Sequence, residues 1–329
     1  MTGRKIVLPE PFSDTTLPKL RIDPVLPDSG ALMLIDPTHP ASPWAAGNPL
    51  HGAVLPNIAG AQAAALLGTT VELASPGIKV PAAFTGAVGK LERTPKGGLH
   101  GIAAQTGTVP AHSGPLIHLP TSIIAWILQY SQTHAYFFST WHRTTRLATC
   151  TNATIAGINC NAQQTNNYLT YTADRADMVR AYPTPQVHGA SFSAGAVTPP
   201  SVGLGNHYFN NGAKKWISTS IPGDGSNTPV TGLYASGYFG FGASAQAPGI
   251  GAQGQTGLAT CTNSSVSSPT KEQNGSHVFY RLYLEDLTAS GRSYATVDAL
   301  DRAEYTKQVL TAGGRYYGDT IPTDPATIP

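Results

Sequence analysis

The chain has 329 residues, of which only 12% are charged, while 35 Gly and 27 Pro together approach a fifth of it. That balance disfavours long solvated helices, which draw on Glu, Lys and Arg, and favours many short strands joined by turns; with 41% hydrophobic residues it is not a disordered composition either. A formal net charge of +2 gives no general electrostatic case for nucleic acid or a membrane surface, and no run of eighteen apolar residues suggests membrane insertion.

The first segment, residues 1–85, is Pro-rich, with ten prolines between Pro9 and Pro56. Prolines so spaced fix φ and remove backbone donors, which predicts an extended arm without regular helix or central strand. Its opening, "MTGRKIVLPEPFSD", carries no apolar run of signal-peptide length, so the expected location is inside the cell that makes it or in a particle assembled there. Ile6, Leu8, Phe12, Leu17, Leu20 and Ile22 lie among the prolines, and apolar surface of that extent has to be laid against something. These six form the expected docking interface of the arm, on neighbouring subunits of an assembly or on its own domain. Within the arm, "NIAGAQAAALLG" (57–68) predicts a short Ala-rich helix stopped by Gly68.

Residues 86–329 change to strand patterns. "TSIIAWILQY" (121–130) is apolar on both alternating faces, which predicts a central strand buried on two sides. "AYFFSTW" (135–141), "NYLTYTA" (167–173) and "GLYASGYFGFGA" (232–243) follow as further β-propensity runs. In "HYFNNGAKKWI" (207–217), Asn211-Gly212 between apolar runs predicts a type I′ hairpin, because both central positions need positive φ. "HVFYRLYLED" (277–286) alternates, predicting Val278, Tyr280, Leu282 and Leu284 inward and Arg281 and Glu285 outward. Val297, Leu300, Tyr305, Val309 and Leu310 follow a helical period that ends at Gly313-Gly314.

The chemical motifs are weak. Cys150, Cys160 and Cys261 are odd in number and lack C-x-x-C spacing, so reduced, dispensable thiols are expected. Asn152, Asn263 and Asn274 head N-x-[ST] triplets but read as polar loop residues. "GIGAQG" (249–254) matches a dinucleotide-loop spacing, yet "QTGLATCTNSS" after it is no helix to receive a pyrophosphate. Ser191 and Ser193 lie in no nucleophile elbow, and Lys214-Lys215 read as a solvated strand edge. His134 and His142 flank an aromatic strand, but the ten histidines include no H-x-x-x-H pair, so neither metal nor any other cofactor is expected.

The order "SIIAWI", "YFNNGAKKWI", "GYFGFGA" and "FYRLYLEDLTASGR" resembles the concanavalin A-like, LamG-type jelly-roll over roughly residues 95–315. The arm and the closing "VLTAGGRYYGDTIPTDPATIP" look like those of bacteriophage structural proteins. The resemblance implies a mainly β fold, a jelly-roll β-sandwich with an extended Pro-rich N-terminal arm and a short C-terminal helix. It implies a structural component of a tailed-phage virion (capsid decoration or tail, baseplate or fibre protein) assembled in the host cytoplasm. Partners would be other virion proteins and further copies of the chain. The alternative it implies is a glycan-binding module for host surface sugars, and a more distant one a degenerate glycoside hydrolase. Glycosidases of this fold carry E-x-D-x-x-E on one strand face; here Glu285 and Asp286 are adjacent and point to opposite faces, so no enzyme activity is expected. Calcium-binding members use Asp and Asn on loops, for which "PGDGSN" (222–227) offers Asp224 and Asn227, more simply a polar turn.

Overall fold

The computed structural model describes residues 22–82, 84–105, 115–130, 134–147, 204–210 and 275–329, together with the backbone of short strands between 152 and 262. It is mostly β, with antiparallel sheets and a short C-terminal helix. In chain order the elements are β1 (Ala31–Ile35), α1 (Gly60–Leu67), β2 (Gly77–Lys79), β3 (Gly89–Arg93), β4 (Leu99–Ala103), β5 (Leu116–His118) and α2 (Thr121–Gln129). Then come β6 (Tyr136–Arg146), β7 (Asn152–Ala153), β8 (Ala156–Asn159), β9 (Asn167–Arg175), β10 (Met178–Tyr182), β11 (Gly205–Asn210), β12 (Ser236–Gly240) and β13 (Cys261–Thr262). The chain closes with β14 (Ser276–Asp286), α3 (Leu287–Ser290) and α4 (Tyr294–Tyr305).

The main sheet runs β11-β6-β14-β4-β3, and β1 also pairs with β14. β14 is its axis. Along its length it pairs with β6, while on its other side β4 takes residues 277–279 and β1 takes residues 282–285. The second sheet runs β10-β9-β8-β12-β5-β2. One apolar cluster joins the two sheets: Phe138, Phe279, Leu282 and Leu284 of the first meet Ile78 and Ile117 of the second, with Ile123, Ile124 and Ile127 of α2. The other face of the main sheet lies under α4. There Phe137, Tyr283, Val297, Val25 and Leu26 pack together, and Trp141 sets its ring edge-on to Tyr305 at 5.6 Å.

Three expectations are corrected by this architecture. The run 121–130 is helical over Thr121–Gln129. An apolar run without strict spacing fits either period, and what decides here is burial of Ile123, Ile124 and Ile127 at helical spacing. Pro120 caps the start, accepting the Ile124 amide at 3.2 Å, a position where its missing N–H costs nothing. Arg281 and Glu285 do not face solvent. Both are fully buried, because α4, α3 and the segment around Asp23 cover the face that alternation assigns to water. The segment from residue 22 to 85 is built into the fold: β1 lies in the main sheet, and Trp44, Leu55 and Ile78 join the central cluster. Residue 85 is therefore no boundary in the packing. Ile22, the one expected docking side chain among the described residues, is 60% exposed.

Other expectations match the elements found. α1 ends at Gly68 in the left-handed region (φ 64°), and α4 starts at Ser293, whose side chain accepts the Thr296 amide. The helix continues as a π turn, Thr306–Leu310, within the period expected to run to Gly313-Gly314. The remaining docking residues Ile6, Leu8, Phe12, Leu17 and Leu20 lie outside the described residues, as do Asn211 and Gly212, Cys150 and Cys160, and the 222–227 and 249–254 loops. β11 stops one residue before Asn211 and pairs with β6.

Candidate functional site

Two features stand out once the elements are placed: a cluster of charge inside the molecule and an apolar loop on its surface. The cluster centres on Arg281 of β14. Its guanidinium makes two hydrogen bonds to Asp23, at 2.8 and 3.0 Å, lies 3.6 Å from Asp301 of α4 and 4.0 Å from Asp36, and sits 4.5 Å over the Trp141 ring. Burial disfavours the charge on Arg281, but the three carboxylates outweigh it and push its pKa up. Burial by itself would raise the Asp23 carboxyl; Arg281, a hydrogen bond from His39 and the Val25 amide reverse this and hold it well below the usual carboxylate range. Asp301 goes the other way, raised by burial against Arg281 and hydrogen bonds from Ser139 and Trp141. Asp36 accepts from Arg315 and, at 2.6 Å, from Tyr316. These groups tie the N-terminal segment, β14, α4 and the C-terminal segment to one point.

The adjacent carboxylates at the end of β14 are likewise engaged. Glu285 binds Arg292 and accepts from Tyr283 at 2.5 Å. Asp286, on the opposite face, accepts from Trp126 (2.8 Å), from the Ala289 amide and from His134 Nδ1 (2.6 Å). The Asp286–His134 pair resembles the orienting half of a catalytic triad. The bonds of Asp286 to α2 and to the first turn of α3 make it a joint between elements. His142, His207 and His277 also come together, with ring centroids 5.3 and 6.2 Å apart, and burial lowers the pKa of His142 well below its ordinary value. Among the described residues no group of three or more His, Cys, Asp or Glu could hold a metal ion. Among them, too, no helix is long and apolar enough to cross a membrane.

The surface feature is the loop "WAAGNPLHGAVLP" (44–56), which contains no charged residue. Gly47 and Gly52 take positive φ (83° and 78°), which lets the chain turn twice in six residues. The loop is pinned from beneath. Trp44 stacks on Phe279 at 6.0 Å, with the Arg93 guanidinium 5.4 Å from its ring; Asn48 donates to the Leu91 carbonyl at 2.6 Å; Gly52 and Leu55 donate to Ile78 and Pro76. With its polar backbone tied inward, the loop turns Leu50 (80% exposed) and Val54 (52% exposed) outward. They border a pocket of about 470 Å³ lined by residues of this loop, Trp44, Pro49, Leu55 and Pro56 among them. A second depression of about 430 Å³ shares Asn48 and Pro49 and runs on to Phe84, Lys90 and Ile328. The Trp44 indole N–H, buried at the pocket wall, has no acceptor among the described residues.

The comparisons with known proteins add no relative. No protein family, no curated protein and no solved structure matches the chain.

Sequence reasoning singled out neither feature. The signal for the loop was present as a charge-free Pro/Gly stretch carrying Trp44, Leu50 and Val54; its meaning depended on which of these side chains the fold would cover.

Proposed function

We propose that the chain is a structural component of a tailed-phage virion, a capsid decoration or tail protein, that docks to neighbouring proteins through apolar surface and acts by packing, without turnover. The observation that carries the docking is the exposed pair Leu50 and Val54 over a pocket walled by apolar side chains. Exposed apolar surface grouped over a concavity is a mark of association sites. The phage part rests on the sequence resemblance. The finer fold reading, a concanavalin A-like jelly-roll sandwich, is supported by two antiparallel sheets that share the core around Ile78, Ile117, Phe138 and Leu284. The buried commitments of Asp23, Asp36, Glu285, Asp286 and Asp301 suit a scaffold, since each carboxylate holds elements together.

The test is direct. Phage particles purified from cells carrying this chain are imaged and their proteins quantified. A fixed, repeated position and copy number are expected. Absence from purified particles, or presence only in the cell lysate, overturns the reading; retention of the isolated protein on a glycan array without particle incorporation would favour the sugar-binding alternative.

A further inference from the structure

We propose that the pocket under Leu50 and Val54 receives the Pro-rich N-terminal segment, residues 1–21, of a second copy of this chain, with the Trp44 indole N–H donating to a backbone carbonyl of that segment. This rests on the docking reading above and names the acceptor.

Three observations favour this occupant. The first is chemical fit. "LPEPF" (8–12) sets Leu8 and Phe12 around two prolines, a sequence that favours the polyproline conformation, and such segments seat in grooves walled by aromatic and proline side chains. Trp44, Pro49 and Pro56 supply that kind of wall. The second is the indole N–H. A buried donor without an acceptor is costly, and a polyproline backbone, whose carbonyls are not used internally, offers acceptors along its length. The nitrogen is buried, so the acceptor enters with a local shift of the chain around it, for which there is open space beside Gly47 and Gly52.

The third is where the segment joins the described chain. It starts from exposed Ile22, next to Asp23, and Asp23 is held by Arg281 on the α4 side of the main sheet, where Arg281 meets Trp141 and Asp301. Trp44 stacks on Phe279, in the cluster on the opposite side. Donor and acceptor thus lie on opposite faces of one sheet. Between copies this geometry is head-to-tail, an arrangement that closes rings or builds open arrays and suits a repeated position in a particle.

The experiment uses the full-length chain, with a photo-crosslinking amino acid in place of Phe12 and association followed by sedimentation. Cross-links between two copies, mapping to residues 44–56, are expected. Leu50→Asp, at a position 80% exposed, should abolish them and leave the melting temperature unchanged. Trp44→Phe keeps the ring and removes the donor, so it should weaken association by about three- to tenfold without lowering thermal stability. Cross-links within a single copy, cross-links elsewhere, or association indifferent to Leu50→Asp would each overturn the inference. If Leu50→Asp protein still enters particles and Phe12→Asp protein does not, the virion reading stands and this pocket is not the acceptor. If neither wild type nor variants occur in particles while the two-copy cross-link persists, the pairing stands and the virion reading falls.

Discussion

Arg281 shows how a single side chain can fix several segments at once. With no solvent exposure and Asp23, Asp36 and Asp301 around it, it is the kind of buried ion cluster in which losing one partner strands the others. Asp23→Asn is expected to destabilise the fold by about 3–5 kcal/mol, read as a shift in urea unfolding. Because the Asp23 carboxyl is held below its ordinary range, its contribution is complete above the ordinary carboxylate pKa near 4 and fades as the pH falls further toward its folded value. His100 acts in a higher window. Burial first, then repulsion from His277 and Arg143, lower its pKa to about 4 despite hydrogen bonding and attraction to Glu92, so the folded protein keeps it neutral where the unfolded chain takes up a proton. Stability is therefore lost as the pH drops from about 6.5 to about 4, by on the order of 3 kcal/mol from this one residue. Unfolding measured at pH 7, 5.5 and 4 should show a shallower decline for His100→Gln than for wild type. Equal slopes would mean the imidazole is protonated in the fold.

Among the elements, those readable in the sequence are the ones whose local pattern and final environment agree. α1 has its alanines and a Gly stop, α4 has its apolar period and the Gly313-Gly314 stop, and β6 has a continuous aromatic run; none needs a distant partner to be recognised. The helical state of α2 and the burial of the polar side of β14 escape local pattern for one shared reason. Alternation in β14 correctly places Leu282 and Leu284 in the core, but the burial of Arg281 and Glu285 depends on partners such as Asp23, 258 residues away, which no local period encodes. In α2 the run Ile123–Leu128 satisfies both periods, and the choice is made by its packing and by the bond from Trp126 to Asp286. The loop over the pocket was not singled out within the Pro-rich segment, because the exposure of Leu50 goes with Trp44 being pinned on Phe279, which no local pattern encodes. Ile123→Ala should cost about 2–5 kcal/mol, since the residue is fully buried in the central cluster. Gly30→Ala is expected to be comparably damaging for a backbone reason. It sits at φ 92°, and an added Cβ would come within 2.6 Å of the Ser290 amide and Cβ, wedging α3 from the start of β1. Thermal melts of the two variants test these assignments, and a wild-type melting temperature for Gly30→Ala would contradict the close approach.

At the scale of the whole molecule, residues 22–85 belong to the fold. Removing residues 1–85 takes away β1, α1 and β2 together with Asp23 and Asp36, and leaves Arg281 buried with Asp301 alone among its carboxylates. That protein is expected to be insoluble or to lack a cooperative melt, whereas removal of residues 1–21 should leave a cooperative transition within a few degrees of wild type. Circular dichroism of the two truncations decides, and a folded 86–329 fragment would refute the shared core. The central place of β14 has a further consequence for how the chain is made. Synthesis is vectorial, and β1, β4 and β6 are all released from the ribosome before residues 276–286, the strand on which each of them pairs. Until then the nascent chain holds apolar strands with no central neighbour, a state of high contact order open to aggregation and to chaperone capture. The main sheet closes only once residues 276–286 have emerged, so a polypeptide stalled before residue 276 should stay sensitive to protease however long it waits.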